Sequence, residues 1–146
     1  MTSSRTPILA LRALFIVILA VMLWGTVRAS LAQALFDIPS AVLGNPWFQV
    51  TLFDAYFAFL TFYIWVAWKE QTTGARVLWF LAIMLWGNFA MATYMLVQLF
   101  RLPADAPLAH VFTTREPGRL TLPAVFTALG AVIYLLGAKN VLFGDA

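Results

Sequence analysis

A long apolar run with a single formal charge constrains the fold of this chain more than any other feature. It extends from Trp47 to Trp68, and its one charged residue is Asp54. About 20 apolar residues, each adding about 1.5 Å along a helix, cross the hydrocarbon core of a bilayer. Tryptophan favours the membrane–water interface and stands at both ends of the run. The run therefore predicts a membrane-spanning helix.

The composition places the whole chain in the membrane class. Of its 146 residues, 63% are hydrophobic and 10% are charged, and the mean hydropathy is +0.89. Soluble domains contain about 25% charged residues. The length suits a single integral-membrane domain over residues 1–146.

The charged and metal-binding residue types exclude several functions. The formal charge of +3 is spread along the chain without a basic cluster, so we predict no nucleic-acid partner and expect the lipid bilayer instead. The chain has no cysteine and one histidine, His110. This composition excludes disulfides, thiolate metal sites and a haem held by two histidines of one chain. We therefore predict no metal site and no cofactor.

Three further apolar runs complete a predicted set of four membrane spans. The predicted spans are residues 8–27, 47–68, 77–100 and 122–142. The connection KEQTTGAR, between the second and third runs, is short enough to make these two helices antiparallel neighbours. The predicted fold is an all-α, four-helix transmembrane bundle with up-down topology.

The longer loops carry local helix signals of their own. Apolar residues recur at helical spacing in residues 28–45 and 102–121, which predicts a short interfacial helix in each loop. Before the second span, Asn45 is expected to cap the helix, with Pro46 at its first position.

The first run admits a second interpretation. A cleaved signal peptide would use Arg5, Arg12, an apolar core and the cleavage site Ala32-Gln33-Ala34. The run is long for a signal core, and Arg28 separates it from that site, so we favour a retained helix. Arg12, near the start of this helix, is expected to extend its side chain to the interface.

Four spans would place both termini on one side of the membrane. That side would hold five of the nine Lys and Arg residues, and the other side four. The first span has more positive charge on its N-terminal flank, which favours the cytoplasm for that flank. The sequence therefore predicts a bacterial inner-membrane protein with both termini in the cytoplasm.

Asp54 marks the predicted site within the second span. A carboxylate at membrane depth is costly, so it is expected to face the interior of the bundle and bind a polar group, either Asn88 or a tyrosine hydroxyl. The predicted polar cluster comprises Thr51, Asp54, Tyr56, Thr61, Asn88, Tyr94, Gln98 and Tyr134. Two roles stay open for Asp54: holding helices together, and binding a ligand or a proton.

Signatures of common enzymes are missing from the sequence. It contains no Gly-x-Ser-x-Gly, no His-Glu-x-x-His and no phosphate-binding glycine loop, and no catalytic residue is assigned. We therefore favour a non-enzymatic membrane protein, either an accessory subunit with a membrane-protein partner or a binder of a small lipophilic ligand such as a lipid. The alternative is a membrane enzyme acting on an isoprenoid- or sterol-like substrate, with Asp54 as the acid.

Four short motifs follow one another across the second and third runs. They are Pro46-Trp47, Asp54 with Tyr56, Trp65 with Lys69 and Glu70, and Tyr94 with Gln98 and Leu99. In this order they resemble a small integral-membrane family of unknown function found in plants and bacteria. The resemblance covers about residues 8–112. It supports the boundaries of the first three helices and singles out Asp54, but it implies no activity.

Overall fold

Helices provide the regular structure of the chain. The computed structural model describes residues 5–115 and 117–143, and within these ranges it contains seven helices and no strand. The helices are α1 (Arg5–Ala32), α2 (Ser40–Leu43), α3 (Pro46–Lys69), α4 (Thr73–Trp86), α5 (Asn88–Arg101), α6 (Ala109–Thr113) and α7 (Thr121–Phe143). The prediction of an all-α fold is confirmed.

Three of these helices are long and apolar enough to cross a membrane. The qualifying segments are Pro7–Ala32, Pro46–Lys69 and Thr121–Ala138, in α1, α3 and α7. Most of their apolar side chains are exposed, as expected for helices that contact lipid. The structure thus has three candidate spans where the sequence predicted four.

The start of α3 follows the predicted capping pattern. The Asn45 side chain accepts hydrogen bonds from the backbone N–H groups of Trp47, at 2.9 Å, and Phe48, at 3.3 Å. Pro46 occupies the first turn, where its missing N–H costs nothing. The short helices α2 and α6 lie in the two loops where short helices were predicted.

The predicted third span, residues 77–100, is two helices that meet at Gly87. Gly87 has φ +51° and ψ −122°, a conformation that a residue with a Cβ rarely adopts. Its N–H donates to the Ile83 carbonyl at 2.8 Å, and its carbonyl accepts from the Met91 N–H at 3.0 Å. Both helices therefore continue to the turn itself, and the chain reverses over one residue.

Ring contacts show that α4 and α5 fold back on each other. The ring centroids of Trp79 and Tyr94 are 4.8 Å apart. In one straight helix these two positions would be separated by about 22 Å along the axis. The segment is therefore a helical hairpin, with Gly87 at its tip.

The hairpin is too short to span a bilayer. Each arm has 14 residues and is about 21 Å long, against a hydrocarbon core of about 30 Å. Its tip packs against the ring of Phe59, about halfway along α3. The prediction of a third span was wrong because apolar composition does not report chain direction, and two short helices carry the same composition as one long helix.

Helix α7 runs parallel to α4 from the same end of the molecule. Thr127 Oγ1 donates to the Leu78 carbonyl at 3.1 Å, and Tyr134 OH to the Leu85 carbonyl at 3.5 Å. Both pairs have the same sequence separation, which is the pattern of two parallel helices. Trp86 Nε1 adds a hydrogen bond of 2.7 Å to the Phe126 carbonyl of α7.

The two ends of the bundle have different contents. What we call the near end holds the start of α1, the α3–α4 connection, the end of α5, α6 and the start of α7. Ile8, Leu99 and Val111 form one buried cluster there. The far end holds α2 and the last part of α7, where Phe36 packs edge-to-face on Tyr134 at 5.5 Å. The start of α1 and the end of α7 lie at opposite ends, so the prediction that both termini share a side is not supported.

Arg12 joins α1 to the end of α5. Its Nη2 donates to the carbonyls of Leu99, at 2.9 Å, and Leu102, at 2.8 Å. These carbonyls have no partner within α5, so the guanidinium satisfies a helix end that lies inside the protein. The hairpin brings these acceptors to Arg12, and the extension of its side chain to the interface stays a prediction.

We predict that Gly87→Ala destabilises the protein by at least about 2 kcal/mol, because alanine is strained at φ +51° and its Cβ would lie 2.5 Å from the Phe59 ring. Gly25→Ala is the matched control, since a Cβ there has open space. Unfolding in detergent micelles should show the difference. Equal stability of the two variants would contradict the tight turn at Gly87.

We also predict that the N-terminus is cytoplasmic and the C-terminus lies across the membrane. With three spans, the near end carries seven of the nine Lys and Arg residues, namely Arg5, Arg12, Lys69, Arg76, Arg101, Arg115 and Arg119. Positive charge marks the cytoplasmic side. Reporters inserted at residues 113–115 and fused after residue 146 should give a cytoplasmic and an external signal, respectively. The same signal from both reporters would contradict three spans and favour the four spans predicted from the sequence.

Candidate functional site

A groove of about 740 Å³ lies at the near end of the bundle. It lies between α5 and the start of α7, with α4 behind it. Its apolar wall consists of Leu96, Val97, Phe100, Leu122 and Val125. Its polar and aromatic lining comprises Glu70, Trp79, Thr93, Tyr94, Gln98, Arg101, Arg119 and Thr121. Ligand pockets commonly combine this volume with mostly apolar walls and a few convergent polar groups.

Tyr94 anchors the inner side of the groove. Its side chain is 0% exposed, and Phe62, Trp65 and Trp79 surround its ring edge-to-face at 4.8 to 6.2 Å. The hydroxyl donates a hydrogen bond of 2.9 Å to Glu70 Oε1. Such packed aromatic pairs fix the ring, so the hydroxyl holds the carboxylate in one place.

Glu70 is a buried carboxylate with one oxygen left over. It ends α3, is 3% exposed, and its backbone carbonyl accepts from Arg76 Nε at 3.0 Å. Oε2 has no hydrogen-bond partner among the described residues. Gly118, in the α6–α7 loop, lies directly over Oε2, and a Cβ at that position would overlap it. A buried polar oxygen without a partner is costly, which makes Glu70 the focus of the site.

Two arginines line the groove, and neither is bound by another of the described residues. Arg101 ends α5, Arg119 precedes α7, and both side chains are exposed. Within residues 5–115 and 117–143, neither makes a hydrogen bond, an ion pair or a ring contact. The other arginines with described side chains all make a contact: Arg12 and Arg76 bond carbonyls, and Arg28 and Arg115 lie over tryptophans. Two guanidiniums facing one groove can bind a phosphate or a carboxylate.

Lys69 and Gln98 lie beside the groove in a small polar recess that also reaches Arg101, Leu102, His110 and Thr114. Lys69 is buried, its Nζ donates to the Val111 carbonyl, and the ammonium lies 5.4 Å from the Trp65 ring centroid. The hydrogen bond from Lys69 to Val111 therefore connects the end of α3 to α6, beside the groove.

The structure does not gather the predicted polar cluster. Tyr94 and Gln98 line the groove, whereas the other six members are exposed: Thr51, Asp54, Tyr56, Thr61, Asn88 and Tyr134. Thr51 and Thr61 donate to carbonyls of their own helix.

Asp54 does not point into the bundle, so the prediction of its orientation was wrong. Its side chain is exposed, and among the described residues no hydrogen bond involves it. The physical reason is the short hairpin, which ends at the level of Phe59 and leaves this part of α3 without a neighbour from α4 or α5. The two roles considered for Asp54, holding helices together and binding a ligand or a proton, both stay predictions.

Sequence reasoning missed Glu70, Arg101 and Arg119. A Lys-Glu pair after an apolar run ordinarily marks the return to water, and four spans would have put Glu70 and Arg101 on opposite sides of the membrane. The one signal in the sequence was Gly87, because the chain reverses there and Arg101 returns to the same end of the bundle as Glu70.

These features describe a helical protein with three candidate membrane spans, a helical hairpin and a charged groove beside the hairpin. The chain belongs to the family described as Protein of unknown function (DUF1475), which matches residues 3–117. The match covers α1 to α6 and ends before α7. No curated protein and no solved structure matches the chain.

We predict that Tyr94→Phe destabilises the protein by about 1–3 kcal/mol, because it removes the remaining side-chain partner of a buried carboxylate. Tyr134→Phe is the control, since its hydroxyl is exposed and its bond of 3.5 Å is weak, so it should cost less than about 0.5 kcal/mol. Unfolding in detergent micelles measures both. The same loss of stability is measured for Tyr94→Phe in a Glu70→Gln background. An equal loss in both backgrounds would show that the two side chains act independently, and would contradict the prediction.

Proposed function

We propose that this protein binds an amphiphile with an anionic group in its head, in the groove between α5 and α7. The head group lies against Arg101 and Arg119, and the apolar chains follow the wall that includes Leu96 and Val125. The protein is in this view a lipid-binding membrane protein. It is not assigned a catalytic step.

The observation that carries this proposal is a pair of groove arginines that bind no other side chain or carbonyl among the described residues. Arg101 ends α5 and Arg119 lies in the loop before α7, and no acidic side chain among the described residues neutralises either of them. An anion between them gains charge-assisted hydrogen bonds from both, each of about 1.5–3 kcal/mol. A structural role would instead place an acceptor beside them, as it does for Arg12 and Arg76.

The lining of the groove supports an amphiphile over a free anion. Apolar side chains make up one wall, and two of them, Phe100 and Val125, are also exposed on the outer faces of α5 and α7. The groove is therefore open at its side, where lipid would surround a membrane-spanning α7. A lipid can enter from that direction without leaving the bilayer.

Asp54, the acid of the alternative enzyme hypothesis, does not line the groove. It lies 16 positions before Glu70 on α3, which is about 24 Å along the helix. No group of three His, Asp or Glu side chains among the described residues is arranged to hold a metal ion. A binding role therefore accounts for the groove without a further assumption.

We predict that the double variant Arg101→Gln/Arg119→Gln loses at least about tenfold in affinity for phosphatidylglycerol, the equivalent of one charge-assisted hydrogen bond. Native mass spectrometry of the protein in detergent, titrated with this lipid, measures the change. Arg115→Gln is the control, because Arg115 lies at the same end of the bundle but over Trp68, 5.3 Å from its ring centroid. Equal losses in both variants would reduce the effect to general surface charge and contradict the proposal.

A further inference from the structure

Glu70 is an unexpected feature of a site for anions. Its carboxylate lines the same groove as Arg101 and Arg119, yet no hydrogen bond or ion pair connects it to either of them among the described residues. A carboxylate beside an anion site repels the ligand unless the ligand also carries a positive group. The groove thus presents two cations and one anion to its occupant.

The orientation of Glu70 leaves one oxygen for that positive group. Tyr94 OH donates to Oε1 at 2.9 Å, and Oε2 has no hydrogen-bond partner among the described residues. The cover over Oε2 is Gly118, which has no side chain and belongs to a loop without helical hydrogen bonds. A ligand that contacts Oε2 has to displace the backbone at Gly118.

We propose that the head group is zwitterionic and carries a phosphate together with a primary ammonium, as in a phosphoethanolamine head. The phosphate binds Arg101 and Arg119, and the ammonium donates a hydrogen bond to Glu70 Oε2. This inference rests on the proposed function, since it names the head group of the same ligand.

The chemistry of Oε2 distinguishes a primary ammonium from related head groups. The oxygen is an acceptor, and three N–H donors on an ammonium suit it, whereas the quaternary nitrogen of choline has none. The hydroxyls of a glycerol head can donate, but they leave the charge of the buried carboxylate without a counter-charge. The end of α3, the end of α5 and the start of α7 all lie at the near end, so the three charged side chains line one groove.

The test compares lipids that have identical dioleoyl chains and different heads. The full-length protein in dodecyl maltoside is titrated with phosphatidylethanolamine, phosphatidylcholine and phosphatidylglycerol, and native mass spectrometry measures binding. Phosphatidylethanolamine should bind about tenfold more tightly than phosphatidylcholine, the difference expected for one charge-assisted hydrogen bond. Glu70→Gln should bring the two lipids to within about twofold, because the amide keeps the shape but loses the charge.

Two further variants separate the role of the carboxylate from that of the fold. Asp54→Asn removes a carboxylate from the same helix outside the groove and should keep the preference for phosphatidylethanolamine. Gly118→Ala keeps the carboxylate but places a Cβ on Oε2, and it should lose the preference. If Glu70→Gln fails to fold, the ranking of the three lipids by the unmodified protein decides the question.

The outcomes distinguish this inference from the proposed function. Equal binding of phosphatidylethanolamine and phosphatidylcholine, with both still weakened in Arg101→Gln/Arg119→Gln, would overturn the ammonium site and keep the groove. A preference for phosphatidylglycerol over phosphatidylethanolamine would also overturn it, in favour of a purely anionic head. Binding of all three lipids that is unaffected by the arginines would overturn the proposed function itself.

Discussion

The reversal of the chain at Gly87 is the constraint on which the near end of this protein depends. A positive φ, available to glycine at little cost, turns α4 into α5 over one residue. The turn carries Tyr94 back to the level of Trp79 and Glu70, and it brings the end of α5 to the end where α1 and α7 begin. In a straight helix, Arg101 would lie at the opposite end of the molecule from Glu70, and the groove would not exist.

The hairpin is stable only because the surrounding helices complete it. Backbone that turns at membrane depth has to be covered by protein, and the ring of Phe59 covers Gly87. The carbonyls at the end of α5 need donors, and Arg12 of α1 supplies them. Thr127 and Trp86 link α4 to α7 on the other side. The packing of a short hairpin thus fixes the positions of three long helices at the near end.

Local signals in the sequence predicted local structure well. Asn45 and Pro46 define the start of α3 through side-chain and backbone geometry that involves only neighbouring residues. The third apolar run could not be resolved in the same way, because hydrophobicity measures whether a segment avoids water and carries no information on its direction. Tyr94 and Gln98 were correctly expected to face the interior. Glu70 was not expected as a partner of Tyr94, because the contact between them depends on the chain reversal at Gly87, 17 positions after Glu70.

The short length of the hairpin also determines what surrounds the far half of the bundle. The hairpin ends beside Phe59, so α3 continues for about 20 Å towards Pro46 without a neighbour from α4 or α5. Asp54 lies in this stretch and is exposed. If α3 crosses a bilayer, an exposed carboxylate there is costly in lipid, and only water or a polar partner lowers that cost. The near half therefore contains the packed core and the charged groove. The far half has to remain accessible to water or to a polar partner of Asp54.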